Sequence, residues 1–383
     1  SADIIFDGLG NELKNYVIVL KDNVIHDLLP LNSISEPSAV KYYNGFICPA
    51  FVNVHCHTEL SHLKNKITEG CGLDSFIDQL VALREESLNT IQLKTEEALN
   101  RMFNNGIIAI GDICNTPNSI KPKQKSNLWF YNFIEVYAML PERAQKAFTN
   151  AALLKKEFNS QLPQWPSSIT PHAPYSVSDQ LFQLINSSLS RNDVITIHNQ
   201  ESESENQLFY NVTGPMVQRF KKWKLPTNSL KKYYTTSLKA YFKKLNPLNK
   251  KLLIHNTFIR KEDLDFLAAT QQPIFIGLCP TANWFIERTL PPINLLQEYN
   301  FTFCIGTDSL ASTHDLSVLN EIQLIQKHFP NIPFKELIKW ATYNGAKALG
   351  FDSVLGKIEV GKSPGIIHVD KQNHITFISL PKT

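Results

Sequence analysis

The feature that most constrains this chain is an alternation repeated eight times, in which a short apolar run is followed by a stretch that reads as helix. The runs are Phe46 to His57, Gly106 to Ile113, Leu128 to Val136, Ser168 to His172, Val194 to His198, Leu252 to His255, Pro273 to Leu278 and Phe301 to Gly306. Strands covered by helices on both faces read as continuous apolar runs, and eight such units favour a closed (β/α)8 barrel, the TIM-barrel architecture, over an open sheet. The doubly wound alternative lacks its Gly-rich phosphate loop after the first strand. Helical periods are visible in DSFIDQLVALREESL and TEEALNRMFNNG. Asp74 or Ser75 is placed to cap the first, and Gly106 ends the second.

Both ends of the chain read differently. Short strands between Gly, Pro and Asn turns run through Asp3 to Phe6, Tyr16 to Leu20 and Asn23 to Ile25, and again through Gly356 to Val360, Gly365 to Val369 and His374 to Ile378. Two β-rich termini predict one small split β-sandwich domain, residues 1–47 and 351–383, around a barrel domain spanning 48–350.

Composition narrows the function. The chain is 43% hydrophobic and 19% charged, with Gly 15 and Pro 21, which excludes a disordered or linker-like polymer. A net charge of +3 is too weak a field to imply a nucleic-acid or membrane partner. No window holds the roughly 18 apolar residues of a membrane span, and the start carries acids where a signal peptide has a basic head, so a cytoplasmic protein is expected. Six cysteines without a CxxC pair suit reduced thiols. Oligomeric state stays open, a homo-oligomer included.

Polar residues gather where the apolar runs stop, which in barrels is where catalytic groups sit. The first run closes on His55-Cys56-His57, and the two-residue period of a strand puts both imidazoles on one face. The fifth ends on His198, with Glu201 three residues on, and the eighth leads into Asp308. Read singly, an HxH is a weak signal and Asp308 reads first as a helix N-cap. Together they are different: burying unpaired carboxylates and bunched imidazoles costs several kcal/mol, and a divalent cation satisfies them all. His172 and His255 share the strand-end placement, His62 lies close to the first strand, and Trp284 with Phe285 is placed to form an apolar wall.

With these residues in view, the chain resembles the amidohydrolase superfamily, in its branch of amino-heterocycle deaminases and chlorohydrolases, a branch that includes adenosine, guanine and aminofutalosine deaminases. The resemblance rests on PAFVNVHCHTELS, TPHAPYSVS, IHNQES, LIHNTF, LCPTANW, IGTDSLAS, ATYNGAKALGF and GKIEVGKSPGIIHV, which follow the family's order along nearly the whole chain. It implies a metal-bearing barrel with a split β-sandwich and His55, His57, His198 and Asp308 as ligands. It further implies Glu201 as proton shuttle, His255 as the group orienting the attacking hydroxide, and His172 as a substrate contact. Many binuclear relatives carry a carboxylated lysine at the end of strand four, but SSITPHAPYS contains none, so one divalent metal is implied. Zinc is the first expectation, and imidazole and carboxylate ligation suits iron too. Two positions depart from the pattern. Phe258 stands where adenosine-type relatives often have a second histidine, and Gly361-Lys-Ser-Pro-Gly365 replaces the tail's usual Gly-Lys-x-Ala-Asp. The H-x-E and P-C-x-x-C signature of nucleic-acid deaminases is absent.

The expected chemistry is deamination of a purine, pyrimidine or nucleoside-like N-heterocycle by metal hydroxide, with release of ammonia. A bound cation lowers the pKa of water from about 15.7 toward roughly 7. Glu201 or Asp308 accepts the water proton, and both return protons to the departing amine. Hydrolytic dechlorination or ring opening by the same centre is the alternative. A third reading is a non-catalytic binding module. It rests on the stretch from Arg219 to Lys251, which holds eleven Lys or Arg and no acid, with aromatic residues interleaved. That stretch reads either as a solvated helical excursion or as a basic lid over the substrate.

Overall fold

A computed structural model describes residues 1–225 and 232–382. Eight buried parallel strands carry the architecture: β1 (Phe51–Cys56), β2 (Ile107–Cys114), β3 (Trp129–Val136), β4 (Ser167–Pro171), β5 (Val194–Asn199), β6 (Lys250–His255), β7 (Ile274–Leu278) and β8 (Thr302–Ile305). They pair as two parallel sheets, β1-β2-β3-β4 and β5-β6-β7-β8. The sheets also meet along both outer edges. Between β4 and β5, Ser168 Oγ donates to Val194 O at 2.7 Å and the Thr196 amide to Thr170 Oγ1 at 2.9 Å. Past the end of β8, the amides of Thr307 and Asp308 donate to His55 O at 3.1 and 3.0 Å.

Helices cover the outside of the strands through the expected stripe. In the helix Leu88–Asn104 the buried residues are Thr95, Ala98, Leu99 and Met102, one helical face, and Ser87 caps it by accepting from the Thr90 amide at 3.2 Å. Gly106 follows with φ +76°, and a Cβ there would lie 2.8 Å from Ile375 Cγ2, so the turn needs glycine for both conformation and space. Asp74 does not cap the first helix as the sequence suggested. That helix runs Gly72–Leu83, and Asp74 sits inside its first turn, accepting from Ser204 Oγ at 2.7 Å and pairing with Arg219 Nη1 at 3.0 Å.

The termini build a five-stranded sheet in the order Ile375–Ser379, Ile366–Val369, Tyr43–Pro49, Ala2–Phe6, Glu12–Leu13. The hairpin Tyr16–Lys21 with Val24–Pro30 packs on it through Ile25, which shares a cluster with Ile5, Ile47 and Ile366. The single run expected from Phe46 to His57 is therefore two strands in two sheets. Pro49 ends the first, and the next amides switch partners, Ala50 to Gly365 O and Phe51 to Gly106 O. The expected boundary between residues 47 and 48 cuts through the Tyr43–Pro49 strand.

Candidate active site

Four of the sequence-predicted residues converge at the C-terminal ends of the strands. His57 Nε2 lies 3.2 Å from His55 Nε2 and 3.2 Å from His198 Nε2, and Asp308 Oδ1 faces His55 and His57 at 3.6 and 3.4 Å. Burial lowers the pKa of His55, and lowers that of His198 well below the usual histidine value, so both rings are neutral at pH 7. His198 Nδ1 faces the carbonyl of His172 at 2.8 Å. That contact assigns the proton to Nδ1 and leaves the Nε2 lone pair directed at its neighbours. Burial alone would raise Asp308, but the His55, His57 and His255 rings around it hold it below the usual carboxylate range. Imidazole Nε2 lone pairs and a carboxylate crowded this closely repel one another, and a divalent cation is the group such a donor set fits.

The scaffold fixes this cluster through the ends of β1 and β8. Asn53 Nδ2 donates to Thr307 Oγ1, and Thr307 returns its amide to Asn53 Oδ1. Gly306 lets the strands close up, since a Cβ there would stand 2.9 Å from His55 Cβ and 3.0 Å from Cys279 Sγ. Asp308 and His255 adopt φ of +58° and +72°, left-handed conformations costing on the order of 1–3 kcal/mol each outside glycine. No helix follows Asp308, so it has no cap to make. Its Oδ2 accepts from Ser312 Oγ at 2.6 Å instead.

Beside the cluster, His255 Nε2 stands 3.5 Å from Glu201 Oε1. Asn283 Nδ2 donates to His255 Nδ1 at 3.0 Å, which assigns the ring proton to Nε2, and burial pushes the His255 pKa down to about 3. Burial, with the charge of Asp308 nearby, pushes the Glu201 carboxyl well above the ordinary carboxylate range. His172 lines the same cavity and bonds Ser176 Oγ through Nδ1 at 2.8 Å.

Two predicted substrate contacts fall elsewhere. Both ring nitrogens of His62 face main-chain carbonyls, Glu59 O at 3.1 Å and Arg84 O at 3.0 Å, so neither is left for a ligand. Trp284 lies outside the cavity lining, with its ring 5.6 Å from His328, and Phe285 packs into a cluster with Leu63 and Phe76. His62 lies late in the turn Thr58–Leu63 and Trp284 in the middle of the helix Pro280–Glu287, and nearness in sequence to the site does not give the direction of either ring.

The sequence reading passed over other polar groups. Glu135, near the end of β3, has Oε1 3.6 Å from His198 Nδ1, and Oε2 accepts from Asn115 Nδ2 at 3.0 Å. Asp112 near the end of β2 is fully buried, pairs with Lys123 Nζ at 2.6 Å and accepts from the amide and hydroxyl of Thr58, next to His57. Both sit where strands finish, the same signal that picked out the histidines. In the basic stretch, Lys222 pairs with Asp78 and Lys244 with Asp179, while Arg219, Phe220 and Trp223 reach the cavity wall. Residues 226–231 of that stretch lie outside the described residues.

Parallel strands that deliver buried imidazoles and a carboxylate to one point define a metal-dependent hydrolase. The chain belongs to the Amidohydrolase family, whose profile matches residues 46–383. It is similar to an adenosine deaminase of Helicobacter pylori, 26% identical over 368 residues that cover 91% of this chain and 86% of that one. Its fold is similar to the crystal structure of Helicobacter pylori aminofutalosine deaminase in complex with methylthio-coformycin, with a TM-score of 0.78, 22% identity and coverage of 100% and 92% of the two chains. It is also similar to atrazine chlorohydrolase from Arthrobacter aurescens complexed with zinc, with a TM-score of 0.72, 15% identity and coverage of 96% and 86%. The chain is thus a hydrolase acting on carbon–nitrogen bonds other than peptide bonds.

Proposed function

We propose that the chain is a zinc-dependent deaminase that replaces the exocyclic amino group of a nucleoside-like N-heterocycle by a ring carbonyl, consuming water and releasing ammonia. One observation carries this reading: three imidazole Nε2 atoms and Asp308 crowd together, with the buried Glu201 carboxyl 3.5 Å from His255 Nε2 beside them. Zinc would be held by His55, His57, His198 and Asp308, and when bound it supplies a water acidified toward a pKa of roughly 7. The zinc-bound relative supports that choice of metal, and the deaminase relatives support the choice of reaction.

The protein's own groups do the proton work. Glu201 delivers a proton to the ring nitrogen next to the carbon under attack, which makes that carbon electrophilic. Asp308 takes the proton released by the water, and passing it to the amino group turns a poor leaving group into ammonia, while the remaining hydroxyl proton returns to Glu201 as the ring carbonyl forms. His255, locked by Asn283, directs Nε2–H toward the attacking oxygen, and a 1 Å misplacement there costs on the order of a hundredfold in rate. His172 bonds the heterocycle from the cavity side. The two parallel sheets, bonded across both seams, form one closed (β/α)8 barrel, and the terminal sheet and hairpin form a split β-sandwich beside it.

The test is ammonia release from aminopurines, aminopyrimidines and their nucleosides by zinc-loaded protein. Glu201→Gln is expected to keep its metal and lose turnover, and His198→Ala to lose both. Chloride release from a chlorinated heterocycle without ammonia from any amine would replace this reading by dechlorination, the reaction named for one structural neighbour.

A further inference from the structure

Between His198 and Glu201 the chain turns sharply. β5 ends at Asn199, and Gln200 adopts φ +46°, a left-handed conformation that a residue with a side chain holds only when its surroundings enforce it. Gln200 is fully buried and does not line the cavity, whereas Glu201, one residue on, does. The turn therefore decides where the Glu201 carboxyl is delivered, and what holds the turn lies behind the reacting centre.

Every polar group of Gln200 is bonded. Its amide donates to Glu205 Oε1 at 3.1 Å, and its carbonyl accepts from the Phe258 amide at 2.9 Å. Its Nε2 donates to Asn206 Oδ1 at 3.1 Å and to Asp263 Oδ2 at 2.9 Å, while Oε1 accepts from Asn199 Nδ2 at 3.4 Å. The acceptors Glu205, Asn206 and Asp263 each hold a second segment as well. Glu205 accepts from Ser237 Oγ, Asn206 Oδ1 from the Ser237 amide at 3.2 Å, and Asp263 Oδ1 from Thr236 Oγ1. Thr236 and Ser237 stand where the basic stretch comes back against the helix Glu203–Asn211, which carries Glu205 and Asn206. All of these side chains are buried and none reaches the cavity. Low-dielectric surroundings strengthen such bonds, so the network stiffens the turn it holds.

We propose that Glu205, Asp263 and the pair Thr236–Ser237 are positioning residues for the proton shuttle: they clamp Gln200 in its left-handed turn and so set where the Glu201 carboxyl stands. The proposal rests on the reading of Glu201 as the group that moves protons. None of these residues touches the substrate, and each acts through Gln200. The basic stretch thereby gains a role apart from that of a solvated excursion or a lid, since its return point completes the clamp.

The test uses the zinc-loaded full chain with adenosine as the probe. Glu205→Ala removes the acceptor of the Gln200 amide and is expected to lower kcat by about 10–100-fold, the scale of a misplacement of about 1 Å. KM and zinc content should stay unchanged, because the cavity lining and the metal-binding residues lose no contact. Ser237→Ala withdraws one donor and is expected to lower kcat by about 3–10-fold, the worth of one hydrogen bond. Glu205→Gln keeps an oxygen for the Gln200 amide, and the serine hydroxyl can turn to accept from its NH2, so most of the parent kcat should be retained. In a Glu201→Asp background, where the carboxyl is already drawn back by one methylene, Glu205→Ala should add less than about threefold, because two changes acting through one group do not multiply. Hydrogen exchange reads the clamp without the reaction: in Glu205→Ala the Gln200 amide is expected to exchange at least about tenfold faster, while the amides of β6 keep their rates.

A fall in kcat of the same size in both backgrounds, or one accompanied by a rise in KM or a loss of zinc, would reduce these residues to scaffold and overturn the proposal. Ser237→Ala is subject to the same comparisons, so the outcome stays decidable where Glu205→Ala does not fold. Faster exchange at Gln200 without ammonia from adenosine or any other amine in the parent protein would keep the clamp and remove the deaminating shuttle. Unchanged exchange would remove the clamp and leave deamination standing.

Discussion

Asn53 and Thr307 hold each other through two hydrogen bonds, Asn53 Nδ2 to Thr307 Oγ1 at 2.7 Å and the Thr307 amide to Asn53 Oδ1 at 3.1 Å, across 254 residues of chain. Asn53 stands two residues before His55, and Thr307 one before Asp308, so the pair joins two groups of the metal-binding cluster. Asn53→Ala leaves the Thr307 hydroxyl buried without its donor. A loss of about 1–3 kcal/mol in stability is expected, and a fall of about 10–100-fold in zinc affinity. Chemical denaturation and competitive zinc titration measure the two separately. Unchanged zinc affinity would reduce the pair to a stitch between strands.

Metal binding should register as stability. A ligand that binds only the folded state contributes about 2.7 kcal/mol at a hundredfold excess over its Kd, and the neutral imidazoles at pH 7 need no deprotonation to accept it. Chelation is expected to lower the melting temperature of the zinc-loaded protein, and added zinc to restore it. His198→Ala should show neither response. An equal response in that variant would move the binding site elsewhere.

The legible part of this molecule is the part that repeats. Apolar runs marked all eight strands because each is buried on both faces, and the polar residue ending a run marked His55, His198 and Asp308. The split of the first run at Ala50 was hidden because both halves are apolar and only Pro49 records the change of sheet. His62 and Trp284 were misplaced because nearness in sequence does not give a ring's direction. The Asp74–Arg219 pair joins residues 145 apart, and nothing local marks either as the other's partner. Glu135 and Asp112 were readable by the rule that found the histidines, but a carboxylate at a strand end lacks the distinctiveness of an HxH.

Asp112 and Lys123 form an ion pair with no exposed side-chain surface, and Lys123 Nζ also donates to Asn132 Oδ1 at 2.8 Å and faces Cys114 Sγ at 3.2 Å. Burial would lower the lysine pKa, but Asp112 beside it holds it above the usual value, so the ammonium keeps its charge inside the protein. Lys123→Met strands the carboxylate and is expected to cost about 3–5 kcal/mol. Adding Asp112→Asn should recover part of that loss, because the stranded charge is gone. Urea unfolding of the two single variants and the double variant closes the cycle. Strict additivity would show that the two groups do not act as a pair.

Glu205 gives the fold a pH dependence of determinate sign. It is fully buried, accepts from the Gln200 amide at 3.1 Å and from Ser237 Oγ, and leaves Oε2 without a partner. Burial outweighs those hydrogen bonds and pushes its carboxyl up to about 7, above the ordinary glutamate value of 4.5. Below pH 4.5 the folded and unfolded chains both hold the proton, and the group contributes no slope. Between pH 4.5 and 7 the unfolded chain releases it while the folded chain keeps it, so stability falls as pH rises, by about 1.4 kcal/mol per pH unit at most, and levels off above 7. Glu321, which accepts from the Thr281 amide and is pushed up to about 8, adds to the same trend and extends it. Glu205→Gln removes one titrating group without changing the shape of the side chain. The drop in unfolding free energy between pH 5.5 and 8 should therefore be smaller in this variant than in the parent protein, by urea denaturation at each pH. An undiminished drop would mean that Glu205 is already ionised in the folded protein at pH 5.5, and that its hydrogen bonds to Gln200 and Ser237 outweigh the cost of its burial.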